Sequence, residues 1–305
     1  MNGQLDVCIV IPTFNRKKQL SLLLTQLLKQ KVHNIVYKII VVVDGSTDGT
    51  YEILNSEYPN VDVVKGDGNW WFTRSMNEGC KYAVNNLNPK FILTLNDDVQ
   101  VPDIFLSEML RNYYQSEENC IIGASSYSLS KPTMITFGGI ERKNPITLKY
   151  YKYIAPYTPM EPGKLKGLKP SVTLPTRGML ISTYLIKKLN YLEEELFPQY
   201  SSDYDLVLRG SLLGYKVYIS YDAYVFEDMD LTSSGNARLS KSFKDYIKNI
   251  FTNKYSSSYF YKDLHMAWRF GIKPLFPLYF MLTLATVPYV YLKYKYKLKA
   301  LKEKK

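Results

Sequence analysis

Histidine and cysteine are scarce in this chain: two of the former, His33 and His265, and three of the latter, Cys8, Cys80 and Cys120, among 305 residues. The cysteines are scattered, show no zinc spacing and fit a reducing compartment. Neither histidine lies in a recognisable motif, so a surface or packing role is expected for each. No leader-like segment opens the chain, because the first apolar run starts at Val7, and no N-terminal signal is expected. Acid is nearly missing from the last part: residues 237–305 hold 15 basic and 3 acidic residues, against 24 basic and 25 acidic in residues 1–236. The net charge of +11 therefore belongs entirely to the C-terminal part. No reader motif accompanies that charge, which argues against nucleic-acid binding.

What the chain does have is apolar, β-branched runs that end in polar or acidic clusters. Val7-Cys8-Ile9-Val10-Ile11-Pro12 ends in Thr13-Phe14-Asn15-Arg16, and Ile39 to Val43 ends at Asp44. Val61 to Val64 is a third short run, and Phe91 to Leu95 ends in Asn96-Asp97-Asp98. Such runs suit buried strands of a parallel sheet. Between them, Lys17 to Gln30 carries leucines at helical spacing, and Tyr51–Ser56 and Thr73–Asn85 also read as helices. The alternation predicts a doubly wound α/β domain, whose ligands bind beyond the carboxyl ends of the strands. Two acidic strand ends about fifty residues apart then meet at one cleft. With 46% hydrophobic residues, one large domain with an appendage is expected.

Ile11-Pro12-Thr13-Phe14-Asn15-Arg16, Val43-Asp44-Gly45-Ser46-Thr47-Asp48-Gly49-Thr50 and Asn96-Asp97-Asp98, in this order, resemble the family 2 glycosyltransferases over roughly residues 5–235. The resemblance implies a GT-A fold, a Rossmann-like, doubly wound mixed sheet. It also implies inverting transfer from a nucleotide-sugar donor, UDP- or dTDP-linked, with a divalent cation, Mn²⁺ or Mg²⁺, on the diphosphate. Asp98 matches the last acid of the family's Asp-x-Asp motif and is the expected metal ligand. Asn96 takes that motif's first position, and Asp97 is expected at the donor ribose or sugar. Asp44 matches the residue that hydrogen-bonds the base or ribose. Pro12, Thr13, Phe14 and Arg16 would form the other wall. Asp48 is equally suited to cap the following helix or to touch ligand.

Gly68-Asn69-Trp70-Trp71 precedes a helix carrying Arg74 and Asn77, positions the family keeps near the donor. Arg74 suits a diphosphate or base contact, and Asn77 would hold the loop to the strand ends. Either Trp70 or Trp71 would line the sugar site, the alternative being a place under the sheet. The segment resembles rhamnosyltransferase-like enzymes of bacterial surface polysaccharides. Thr136-Phe137-Gly138-Gly139-Ile140 reads as a turn between strands, and residues 144–173 show no clear period. Arg177 and Gly178 match the segment before the acceptor helix, where glycine permits close approach to the donor sugar. Phe197 to Arg209 resembles the family's Glu-Asp-x-Asp-Leu-x-x-Arg block. Inversion needs a base on the acceptor side. Asp203 aligns with it; Asp205 is the alternative base, and helix capping the alternative role for Asp203. Asp205 and Arg209, four apart, suit an ion pair. Relatives carry a metal-binding His near Ala223 to Asp228; here Glu227 or Asp228 stands in its place.

A domain boundary is expected at 236/237. In residues 237–305, the stretch 274–292 is uncharged and flanked by lysines. It is long enough to span a bilayer. Three prolines and three tyrosines fit an interfacial segment better; a packed or oligomer-forming helix is the third possibility. The expectation is a transferase at the cytoplasmic face of the cell membrane, acting on a glycan or lipid-linked glycan. The rival readings are a sugar-nucleotide pyrophosphorylase, whose Gly-rich basic loop is missing here, and an inactive nucleotide-sugar-binding scaffold.

Overall fold

The hydrophobic pattern of the first third is realised almost run for run. In the computed structural model, which describes residues 5–116, 119–228 and 242–302, strand β1 (Val7–Thr13) is buried along its whole length. Helix α1 (Lys17–Leu27), β2 (Tyr37–Asp44), α2 (Thr50–Glu57), β3 (Asp62–Gly66), α3 (Trp71–Tyr82) and β4 (Phe91–Thr94) follow. Helix α1 buries Leu20, Leu23, Leu24 and Leu27 and leaves Leu22 and Leu28 exposed, the three-and-four spacing of a one-sided helix. β1 pairs in parallel with β2 and with β4, and β2 pairs in parallel with β3. The order β3-β2-β1-β4 brings Thr13, Asp44 and the residues after Thr94 to one edge. Helix α3 starts at Trp71 and continues into a π-helical turn over residues 83–87. It lies close on the sheet because of Gly79, where a Cβ would stand 2.4 Å from Val10 Cγ1 and 2.8 Å from Val42 Cγ2.

Beyond β4 come β5 (Val99–Gln100), α4 (Phe105–Gln115), β6 (Cys120–Ser128), β7 (Met134–Phe137), β8 (Ile140–Lys143), β9 (Tyr150–Lys152), β10 (Thr158–Pro159), β11 (Leu168–Pro170), β12 (Met179–Ser182), α5 (Thr183–Lys188), α6 (Ser202–Leu212) and β13 (Lys216–Glu227). β12 lies antiparallel between β4 and β6, while β13 runs parallel to β6, so the sheet is mixed. The expected turn at Gly138-Gly139 joins β7 to β8, with Gly139 at φ +92°. Residues 144–173 hold three short strands: β9 forms a ribbon with β8, β10 pairs with β7, and β11 pairs with β13. Strands of two or three residues are too short to show a period.

The expected boundary at 236/237 lies outside the described residues. Three helices follow: α7 (Phe243–Thr252), α8 (Phe260–Phe270) and α9 (Phe276–Lys302). Tyr246, Ile250, Phe260 and Val287 form their small core. They are fastened to the sheet domain by long-range polar contacts. Arg269 of α8 pairs with Asp205 at 2.7 Å and Glu193 at 2.6 Å, and the Tyr279 hydroxyl donates to the Pro145 carbonyl at 2.6 Å. Among the described residues, no helix is long and apolar enough to cross a membrane.

Candidate active site

The carboxyl ends of the parallel strands and the start of α3 enclose a cleft of about 370 Å³. Pro12, Thr13, Phe14, Arg16, Asp44, Gly68, Trp71 and Asp97 line it, all of them expected from the sequence. Phe72, Ser75 and Gln199 line it too and were not singled out. Ser75 is 2% exposed, and its hydroxyl has no hydrogen-bond partner. A buried orphan hydroxyl on a cleft wall suits a polar ligand. Gln199 comes from the segment before α6, and its Oε1 accepts the Phe72 backbone N–H at 3.0 Å.

Asp44 ends β2 and shapes this cleft. Its Oδ1 accepts the N–H of Gly68 at 2.8 Å, and its Oδ2 accepts those of Trp70 and Trp71 at 2.9 and 3.0 Å. One carboxylate thus fixes the whole 68–71 loop; Trp71 sits at φ +58° there, a left-handed conformation unusual for a bulky residue. Trp71 reaches the cleft and stacks on Tyr255 at 4.0 Å between centroids, so a C-terminal residue borders the site. Trp70 packs beside Arg74, whose guanidinium lies 5.2 Å from its ring.

Arg16 organises the second acidic cluster. Its Nη1 donates to Asp97 Oδ1 at 2.9 Å and Asp98 Oδ2 at 2.7 Å. The Thr13 hydroxyl donates to Asp97 Oδ2 at 2.7 Å. Burial pushes the Asp97 carboxyl up to about 6, against the opposing pull of Arg16, and the charge of Asp98 adds to the rise. Asn96 Oδ1 is buried without a partner. Among the described residues, no group of three or more His, Cys, Asp or Glu side chains is placed to hold a metal ion.

Asp203 stands in the first turn of α6, behind Ser201, which has φ +73°. Its Oδ1 accepts the Tyr204 N–H at 2.8 Å. Burial raises its carboxyl above the ordinary carboxylate range, opposed by that N–H and by the charge of Arg177. The ion pair expected between Asp205 and Arg209 forms at 2.7 Å. Asp205 is fully buried between Arg209 and Arg269, which leaves it no free face. Asp48 accepts from the Thr50 and Lys17 backbone N–H groups, closing the turn before α2.

Other expected site residues are placed elsewhere. Asn77 is buried on the far side of α3, where its side chain exchanges hydrogen bonds with the Leu192 backbone and donates to Glu194. Arg74 and Asn69 are exposed and do not line the cleft. Gly178 has φ +92°, and its absent Cβ faces Ala124 at 2.8 Å and Val225 at 3.5 Å. Core packing and backbone conformation both call for a glycine here. Glu227 is buried with its oxygens on Arg177, at 3.2 Å, and on the Thr136 hydroxyl. A cation could use Glu227 only by breaking those contacts. Arg177 also donates to Ser126 Oγ at 3.0 Å.

An open α/β sheet that presents acidic strand ends to a nucleotide-sized cleft, with an antiparallel strand set into it, is the GT-A fold. Solved structures of other proteins share it. S. aureus TarS 1–349 superposes with a TM-score of 0.53 at 16% identity, over 93% of this chain and 81% of that one. GalNAc-T7 with UDP, GalNAc and Mn²⁺ superposes at 0.61 and 14%, over 88% and 51%. The chain belongs to glycosyl transferase family 2, whose model matches residues 8–172. It is 26% identical over 162 residues to the low-salt glycan biosynthesis hexosyltransferase Agl10 of Haloferax volcanii, covering 52% of this chain and 49% of that protein. It is 29% identical over 217 residues to the poly(ribitol-phosphate) beta-glucosyltransferase of Bacillus spizizenii, covering 66% and 32%. The chain thus spans about half or less of the length of these curated relatives.

Proposed function

We propose that this protein is an inverting glycosyltransferase that moves a hexosyl or deoxyhexosyl group from a UDP- or dTDP-linked donor to a lipid-linked surface glycan. The observation that carries the reading is the course of residues 199–204. Gln199 lines the donor cleft, and Asp203, four residues on, is a half-buried carboxylate with a raised proton affinity. A carboxylate with raised proton affinity is suited to take a proton from an acceptor hydroxyl as that oxygen attacks the sugar carbon in line. The attack breaks the bond from that carbon to the diphosphate, and the nucleoside diphosphate leaves.

Thr13, Ser75 and Gln199 bind and orient the nucleoside in a cleft whose 68–71 wall Asp44 holds in place, while Arg16 offers positive charge to the departing diphosphate. A divalent cation, Mn²⁺ or Mg²⁺, would be held by Asp98 beside the orphaned Asn96 Oδ1, both hard oxygen donors. Bound there, it would supply further charge to the leaving group. A membrane-bound acceptor is supported by the C-terminal helix, whose exposed Leu278, Met281, Tyr289 and Leu292 precede a lysine-rich end. That helix would lie in the surface of the cytoplasmic leaflet.

The test is a panel of UDP- and dTDP-sugars, screened for binding and transfer with and without Mn²⁺. At least one donor should bind and be consumed. A panel in which none binds would sink the proposal, and so would reversible turnover of a sugar 1-phosphate with a nucleoside triphosphate.

A further inference from the structure

We propose that a second cavity, between α9 and the Asp203 turn, is the acceptor subsite, and that it takes the glycosyl head of an acceptor whose apolar chain lies along α9. The inference rests on the glycosyltransferase reading above and says where its second substrate binds. The cavity measures about 390 Å³. Its walls include Tyr150 of the β8–β9 ribbon, Ser201 and Tyr204 of the α6 start, and Tyr279, Thr283 and Thr286 of α9.

The inner end adjoins the turn that carries Asp203. Residues 199–204 divide the two cavities, with Gln199 in the donor cleft and Ser201 and Tyr204 in the second one. Asp203 stands between them in the chain. The Tyr150 and Tyr204 rings meet edge to face at 5.4 Å. Burial raises both phenols, and the charge of Asp203 raises them further, so both hydroxyls keep their protons. Aromatic faces with polar tips, beside the hydroxyls of Ser201, Thr283 and Thr286, suit a sugar ring. Lys143, Lys262 and Asp263 also border the cavity, with Lys262 paired to Asp263 at 2.7 Å and Lys143 donating to the Phe270 carbonyl at 3.1 Å.

The outer end reaches an apolar face. α9 turns Tyr279, Leu282, Thr283 and Thr286 to the cavity. The neighbouring stripe, Leu278, Met281, Tyr289 and Leu292, is exposed by 40, 60, 63 and 49%. Leu282 belongs to both, lining the cavity while 39% exposed. Cavity and stripe are therefore continuous along one helix, and the stripe runs into Lys293, Lys295, Lys297 and Lys299, a charge pattern that attracts anionic lipid. An occupant that satisfies both surfaces is an amphiphile with a sugar head.

The test uses the full chain, with dodecyl maltoside below its micelle concentration as probe. Binding is followed by saturation-transfer NMR, and UDP and dTDP binding by calorimetry. Thr283→Trp and Thr286→Trp fill the cavity from α9, and Thr147→Trp fills it from the loop between β8 and β9, where Thr147 also lines it. Each should weaken dodecyl maltoside at least tenfold, leave nucleotide affinity within twofold, and abolish saturation of the maltose protons. Unchanged dodecyl maltoside affinity in two variants that still bind nucleotide would overturn the subsite. So would saturation confined to the alkyl chain in the unsubstituted protein. If the unsubstituted chain binds neither nucleotide, the transferase reading falls, and the subsite with it.

Discussion

Replacing Asp203 with Asn removes the proposed base while keeping shape and the hydrogen bond to the Tyr204 N–H, because the amide oxygen can accept it as the carboxylate does at 2.8 Å. A positioned general base is worth about 10²–10⁴ in rate, or about 3–5 kcal/mol of barrier at about 1.4 kcal/mol per decade. Stability should move the other way. Burial is the largest influence on Asp203 and raises its proton affinity in the folded state. The folded chain therefore binds this proton more tightly than the unfolded chain does, and ionising Asp203 at neutral pH costs folding free energy. Asn carries no such cost, so Asp203→Asn should be as stable as the parent or more stable at pH 8. The gain should shrink as pH falls through the raised value and vanish below the ordinary carboxylate range of about 4. The assay pairs release of nucleoside diphosphate with thermal unfolding at pH 8 and pH 3. Transfer within a few-fold of the parent would refute the base assignment. Lost activity accompanied by lost stability would point to a structural role.

Further predictions concern the scaffold and the cation. Arg269→Ala takes one of two guanidinium partners from the fully buried Asp205, and a charged hydrogen bond of this kind is worth about 2 kcal/mol; urea unfolding should register it, and a change below about 0.5 kcal/mol would deny that Arg269 fastens α8 to the sheet domain. Gly79→Ala drives a methyl to 2.4 Å from Val10 and should cost about 1–3 kcal/mol of overpacking in the same assay, with a neutral result excluding the close α3–sheet contact. Chelation should lower transfer at least tenfold and Mn²⁺ should restore it, whereas Asp98→Asn should stay low with Mn²⁺ present; full activity in chelator would show that the leaving group needs no cation and would shift that role to Arg16. Changing Lys293, Lys295, Lys297 and Lys299 to Gln removes on the order of 1 kcal/mol each near anionic lipid, so flotation on phosphatidylglycerol vesicles should fall by more than about a hundredfold. An unchanged distribution would defeat the membrane assignment.

Much of the donor side was legible in the residues because strand ends are local. An apolar β-branched run announces a buried strand, and the acid that closes it must lie at the sheet's edge. That is why Asp44, Asp97 and Asp98 were readable, as was the helix bearing Asp203. The unread parts depend on partners far away in sequence. Phe72 meets Gln199 across 127 positions, and Arg269 meets Asp205 across 64. Periodicity and spacing report which face of an element is apolar, but not which distant side chain will stand opposite it.

The sequence by itself determined the alternating fold, the acidic edge and the division of charge between the two parts of the chain. These follow from side-chain period and from the composition of contiguous segments. Only the tertiary structure decided how each acid is employed. Asp44 is spent on three backbone N–H groups of the 68–71 loop, Asp97 and Asp98 share one guanidinium, Glu227 is held by Arg177 and Thr136, and Asp205 is locked between two arginines. The physical reason is common to all five. A buried charge must find its counter-charge or donors wherever the chain brings them, and those partners are set by packing between segments remote in sequence.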